Sequence, residues 1–345
     1  CIRKYNLNRV VVASCTPATH EPVFRKACEE AGLNKYLFEM VNIREHSSWV
    51  HMHYPKEATE KAKDLIRMAV AKASFLEPLI EPLLEIKPSA LVIGGGIAGM
   101  TTAMSLARQG FDIHLVEKEA ELGGMLRHLH KLHPTGRYAS EILRETVTAV
   151  KANSNIYLHM SSLVQEVKGF FGNFDVRLQK KGSDELEQIN VGTIIVATGA
   201  EELEPLGMYV YGENENILTQ LGLELLLKKC ELKETKKVVM IQCVGAREKN
   251  GRTYCSRICC MVALNNAMLL KELYPEVEVS ILFRDLQTYG EYEDLYLKAR
   301  ENSIDFVRYN QDKPPKVTSR PDGKLTVTVY DAYLRAEVEI DSDLV

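Results

Sequence analysis

The sequence predicts an α/β chain built on parallel sheets of the doubly wound type, and three observations carry that prediction. Short β-branched apolar runs alternate with helical patterns along most of the chain. One such run, at 90–93, opens directly onto a glycine loop at 94–99 and then a helical pattern. A later run, KKVVMIQC ending at Cys243, opens another strand-to-helix unit.

In order, RVVVASC at 9–15 reads as a strand, followed by a helix around 20–31, a strand LFEMVNI at 37–43 and a long helix from 55 to 84. Together they make a small α/β unit. The overlapping segment EPLIEPLLEIKPSA carries Pro78, Pro82 and Pro88 and reads as a linker. The second unit then supplies a strand at 90–93, a helix at 98–109, the strand DIHLVEK, and short strands at 156–159, 163–168, 173–179 and 191–197. The third opens at Lys237, continues through a helix at 257–273 and returns as EVSILFRD. The expected boundaries are 1–88, 89–235 and 236–345; 345 residues are more than one core usually supports.

With 46% hydrophobic and 26% charged residues and a net charge of −4, the composition is that of an ordinary globular protein. It gives no electrostatic footprint for nucleic acid or an anionic membrane. No apolar run reaches the roughly 18 residues that a spanning helix needs, and a cytoplasmic location is expected. The opening CIRKYNLNRVVVASC has neither Met nor a signal-peptide pattern, and reads as a chain that starts partway in.

Gly94, Gly96 and Gly99 stand in G-x-G-x-x-G spacing between strand and helix. The first glycine allows the tight turn, the second the approach of a pyrophosphate, the third close helix–strand packing. Glu117 ends the next strand, 23 residues after Gly94, where a carboxylate can accept bonds from ribose hydroxyls. Lys118 follows it. A glycine turn that binds nothing is the bland alternative, and strand, spacing, helix and acid together weigh against it.

Four of the eight cysteines, Cys243, Cys255, Cys259 and Cys260, fall within 18 residues. Such a cluster in a cytosolic chain points to metal or redox chemistry. Iron–sulfur ligation by four thiolates requires the loop between Cys243 and Cys255 to fold back. Zinc and a dithiol/disulfide pair are the alternatives; the adjacent Cys259-Cys260 is unusual for structural zinc, and Cys255 and Cys259 do not make C-x-x-C. His46, His51 and His53 offer no clean helical face, and no metal is assigned to them. Cys15 is left between a packed thiol and a cluster contact.

The segment EAELGG, with Gly123 and Gly124, resembles the Gly-Gly element of the two-dinucleotide-binding-domain flavoproteins, and IIVATG, with Ala197, Thr198 and Gly199, resembles their second flavin motif. FAD is therefore the expected dinucleotide. Where a thioredoxin-reductase-like member would open a second glycine loop for NAD(P)H, this chain has QCVGAREKNGRTYCSRICC instead.

VVVASCTPATHEPVF, LFEMVNIREHSSWVH, ALVIGGGIAGM, IIVATGAEELEP and IQCVGAREKNGRTYCSRICC, in this order, resemble the heterodisulfide reductase A-subunit family over about residues 8–310. The resemblance implies a thioredoxin-reductase-like FAD domain at 89–235, preceded by the small α/β domain. It also implies an NAD-domain-like unit at 236–345 whose Cys243, Cys255, Cys259 and Cys260 ligate a [4Fe–4S] cluster beside the flavin. It further implies an electron-transfer subunit of an anaerobic multi-subunit complex, with bifurcation at the flavin in some members. The implied partners are other subunits, with ferredoxin-type or hydrogenase- or formate-dehydrogenase-type electron donors. A self-contained NAD(P)H:disulfide oxidoreductase and a structural scaffold are the competing functions.

Three departures from the family pattern stand out. A ferredoxin-like insertion is expected before the second flavin motif, yet 181–191 joins the strands directly. Cysteines expected after 128–135 are replaced by Gly136-Arg137-Tyr138-Ala139-Ser140. A lysine is expected just after the double cysteine, where Asn265 stands. The final EVEIDSDLV reads as a strand about to return to the flavin domain.

Overall fold

The computed structural model describes every residue except 233 and 234. It divides into two compact units, Cys1–Leu84 and Glu85–Val345.

In the first unit a short helix, α1 (Ile2–Tyr5), precedes β1 (Val10–Ser14), α2 (Pro17–Glu30), β2 (Phe38–Asn42), a π-helical turn at Arg44–Trp49 and α3 (Pro55–Ser74). β1 and β2 pair in parallel, Val10 opposite Phe38. Cys28, Leu33, Phe38 and Met40 form a small core, against which Cys15 and Phe24 pack. Both longer helices start with proline, whose missing N–H costs nothing in a first turn. α3 stops at Ser74, ten residues short of the expected end. Pro78 and Pro82 remove backbone donors there, and Ile80 and Leu83 stand at least 90% exposed.

The second unit contains two frames of the same design. The first comprises β3 (Ser89–Ile93), α4 (Ile97–Ala107), β4 (Asp112–Glu117), α5 (Ala139–Ala152) and β5 (Ile156–Met160). An antiparallel meander of β6 (Ser162–Phe170), β7 (Asn173–Lys180) and β8 (Leu186–Val191) follows, and β9 (Thr193–Val196) returns beside β3. The parallel order is β5-β4-β3-β9. Alternation along β3 buries both faces: Ala90 and Val92 pack with Met100 and Ala103 of α4, while Leu91 packs with Val176 and Leu178 of the meander.

After α6 (Gln220–Lys229), the second frame repeats this plan with β10 (Lys237–Ile241), α7 (Cys259–Leu273), β11 (Glu278–Phe283), α8 (Tyr292–Glu301) and β12 (Ile304–Arg308). Its meander is β13 (Lys316–Ser319), β14 (Leu325–Asp331) and β15 (Ala336–Ser342). Val238 and Met240 face the helices, and Val239 faces Val327 and Val329. The registers match. Ile93 pairs with Val116 and Ile241 with Leu282, and Ala90 pairs with Thr193 as Val238 bridges to Leu344.

EVEIDSDLV forms a strand, as expected, and that strand belongs to the second frame. β15 pairs antiparallel with β14 along its whole length, and Leu344 then lies beside β10, not in the flavin frame. Val338 and Ile340 fix this course by packing on the meander-side core of the second frame.

Candidate functional site

The glycine loop joins β3 to α4 at the carboxyl edge of the first sheet, where doubly wound folds bind ligands. Gly94 has φ +109°, and a Cβ there would lie 2.3 Å from Ala197 O. A Cβ on Gly99 would meet Gly94 O at 1.8 Å. Both positions must therefore be glycine for the loop, α4 and β9 to approach. Gly96 differs: a Cβ there meets nothing within 4 Å, so it borders open space in front of the α4 N-terminus. That is the space a pyrophosphate needs.

Glu117 is buried and takes bonds from Gly95 N at 2.7 Å and Glu119 N at 2.8 Å. Its carboxylate clamps the glycine loop to the 119–124 segment, a structural task that the sequence did not reveal. Gly123 N donates to Gly95 O at 2.8 Å, and Gly124 (φ +48°) passes Gly96 so closely that a Cβ would sit 3.2 Å from the Gly96 Cα. Ala197 N donates to Ile93 O at 2.8 Å, placing the second motif beside the first. Lys118, Thr198 and the positive-φ Gly199 are exposed at the same edge. All ten residues expected around the dinucleotide thus gather on one rim, and the open cradle at Gly96 fits FAD.

At the matching edge of the second frame, Gln242 N donates to Leu282 O at 2.9 Å, as Gly94 N does to Val116 O at 2.8 Å. Gln242 and Cys243 therefore stand in register with Gly94 and Gly95. The following loop does fold back: Arg247 N donates to Tyr254 O and Glu248 N to Arg252 O. Cys259 and Cys260 open α7, where helix N–H groups favour a thiolate.

Cys243, Cys259 and Cys260 act on one another electrostatically. The Cys259 thiol is lowered to about 6, chiefly by the adjacent Cys260 thiol, with help from the Ser256 hydroxyl and the Cys243 backbone. The Cys260 thiol, which donates to Asp285 O at 3.8 Å, is pushed up by its interaction with Cys259 and by burial. Burial also raises Cys243, against a bond from Arg247. Cys255 instead takes a bond from Arg257 N at 3.3 Å. Among the described residues no group of three or more His, Cys, Asp or Glu side chains is set to hold a metal ion. The donor chemistry suits a thiolate-ligated cofactor; a closed ligand cage is not formed.

Residues that the sequence reading passed over surround this loop. Asp285 takes Arg247 at 2.8 Å and Arg308 at 3.1 Å, and Tyr309 O–H donates to Gln242 O at 2.6 Å. Gln242 Nε2 is buried beside Cys243 without a partner among the described residues. The RD pair at the end of ILFRD was the available signal. Asn265 Nδ2 donates to Lys131 O at 3.0 Å, so it tethers the 131 turn to α7.

The family model for pyridine nucleotide-disulphide oxidoreductases matches residues 88–241. A protein of Archaeoglobus profundus that is named as resembling the heterodisulfide reductase A subunit is 31% identical over the whole chain and 68% of its own length. This chain belongs to the heterodisulfide reductase A-subunit family. The A subunit of the H(2):CoB-CoM heterodisulfide,ferredoxin reductase of Methanothermobacter marburgensis is 37% identical over the whole chain and 65% of its own length. The chain thus spans just under two thirds of that relative. The alignment runs over 435 positions for 345 residues here, so 90 positions of the relative have no counterpart within the matched span. Here the β7–β8 connection is a direct hairpin. Among solved structures, the thioredoxin reductase of Lactococcus lactis is 18% identical over 74% of this chain and 75% of its own, with a TM-score of 0.48.

Proposed function

We propose that the chain is an electron-transfer subunit of an oxidoreductase complex of the heterodisulfide reductase type, cytoplasmic and dependent on partner subunits. In this reading FAD occupies the rim formed by Gly94, Gly96, Gly99, Glu117, Lys118, Gly123, Gly124 and residues 197–199. Cys243, Cys255, Cys259 and Cys260 hold a [4Fe–4S] cluster. Bound there, FAD would supply two-electron chemistry and the cluster a one-electron acceptor.

The observation that carries the reading is the register of the two frames. Gln242 and Cys243 stand where the first frame has Gly94 and Gly95. A second glycine cradle for a nicotinamide nucleotide is thereby replaced by thiols, which disfavours a self-contained NAD(P)H-dependent enzyme. The intact cradle at Gly96 speaks against a scaffold without cofactor. The chain's own residues prepare the thiolates: Cys260 lowers the Cys259 thiol, and Arg247 acts against the burial that raises Cys243. Ligation by all four requires Cys255 to leave Arg257 N. The reading also keeps three parts, 1–88, 89–235 and 236–345, and takes ferredoxin-type or hydrogenase- or formate-dehydrogenase-type subunits as electron donors. Asn265 brings no cation toward the flavin, so a single acceptor is the simpler scheme and bifurcation the elaborate one.

Anaerobic reconstitution tests this. The chain should bind FAD together with about four iron atoms, the content of one cube, and show flavin bands over a broad iron–sulfur absorption. Cys259→Ser should lose the iron and keep the FAD. Zinc in place of iron, or full iron in the variant, would contradict the cysteine assignment.

A further inference from the structure

A cavity of about 460 Å³ opens at the carboxyl ends of β10 and β11, beside Cys243 and lined by none of the flavin-rim residues. Its size is within the range of sites for small organic ligands, roughly 300–1,000 Å³. We propose that this cavity binds a small organic anion, a phosphate or carboxylate on an apolar or flat body.

Arg284 lines the cavity and is only 9% exposed. Its guanidinium is fixed on three sides. Nη1 donates to Arg247 O at 3.2 Å, Nη2 meets Glu248 Oε1 at 2.5 Å, and the Tyr309 ring lies 5.8 Å away. Its Nε remains buried without a partner among the described residues. A buried donor left unpaired is costly, and such a group calls for an explanation. Lys316, also in the lining, makes no ion pair among the described residues. Arg284 and Lys316 are the cations of the cavity and Glu248 its one acid, so the lining carries a net positive charge.

Glu248 is further occupied by Gln311 at 3.3 Å. It serves as an internal stand-in for an anion, holding the guanidinium in place until a ligand arrives. The rest of the wall is apolar, with Met208 and Pro315 among it, which suits an uncharged body more than a bare ion. Backbone strain concentrates on the same wall: Tyr209, Val210 and Cys243 have φ of +53°, +62° and +64°. A β-branched residue such as Val210 in that region is disfavoured, and such strain collects at ligand clamps.

The test is calorimetric titration of the full chain saturated with FAD, so that the flavin rim is filled. The probes are AMP, hexanoate and inorganic phosphate. At least one organic anion should bind one per chain and more tightly than inorganic phosphate. Preference for AMP assigns a phosphate headgroup, preference for hexanoate a carboxylate. Lys316→Gln, at an exposed position that folding does not need, should weaken binding about tenfold or more, the worth of one charge-assisted bond. Arg284→Gln should do the same if it folds. Glu248→Gln should strengthen binding, because it removes the competing carboxylate. No binding of either organic anion overturns the proposal. So does equal affinity for inorganic phosphate, or affinities that Lys316→Gln and Glu248→Gln leave unchanged.

Discussion

The backbone N–H of Gly95 donates to the buried carboxylate of Glu117 at 2.7 Å, and the other oxygen of Glu117 takes Glu119 N. The acid at the end of β4 is therefore part of the loop's own framework, before any ribose is considered. Glu117→Gln replaces one acceptor oxygen with an NH2 facing an N–H. The expected cost is about 1–3 kcal/mol for the group left unpaired. Thermal denaturation should show a lower Tm in the FAD-free chain, and fluorescence titration a weaker FAD Kd. An unchanged Tm would mean that the clamp has no energetic weight.

Two glycines of one motif should respond in opposite ways. Gly96→Val points into open space and has an ordinary backbone φ of −74°, so the chain should fold with its usual Tm while FAD binding is lost. Gly99→Ala drives a methyl to within 1.8 Å of Gly94 O and should destabilise the fold itself, by about 1–3 kcal/mol or more. Circular dichroism melts alongside flavin content separate the two. Full FAD in Gly96→Val would remove the cradle assignment.

The Cys259 thiol, lowered to about 6 chiefly by the adjacent Cys260, should be the cysteine of the α7 pair that reacts at neutral pH in the metal-free chain. Its alkylation by iodoacetamide, followed by peptide mass spectrometry, should rise with pH through about 6 and level off by about pH 7, as thiolate becomes the main form. Cys260→Ala withdraws the neighbouring thiol that lowers Cys259 and should move the midpoint upward. Equal rates at Cys259 and Cys260 across this range would rule out the proton arrangement.

Much of the cradle was legible because glycine spacing reports backbone requirements directly: Gly94, Gly99 and Gly124 are fixed by contacts within one loop and its neighbours. The strand starts at 90, 112 and 237 were legible for a similar reason, since strands buried on both faces read as unbroken apolar runs. α5, α6 and α8 went unnoticed, and so did β12–β14. Their apolar residues, such as Leu143, Val147 and Val150, are spaced among charges and polar residues and gain their burial from α4 and the sheet. The clamp role of Glu117 was invisible because a buried carboxylate bonded to backbone looks the same in sequence as one that meets a ribose. Arg284 was missed because its partners, Glu248 and Tyr309, lie 36 and 25 residues away.

The purified chain, loaded with FAD, should not reduce dyes with NADH or NADPH at a useful rate. In the second frame Gln242 stands at the place of Gly94, and Val244 stands where the motif spacing would put the second glycine, so the open cradle that a pyrophosphate needs is not repeated. Anaerobic stopped-flow mixing with each nucleotide checks this; rapid bleaching of the flavin would refute it.

Because the two frames keep one register, each position in the first has a counterpart that serves as its internal control. Val92 and Met240 both lie on a helix-facing side of a central strand, one beneath an intact glycine cradle and one beneath the thiol loop. Damage that works through sheet packing should appear alike at both. Damage that works through a bound group should appear at only one, and the molecule thus carries its own yardstick for telling the two apart.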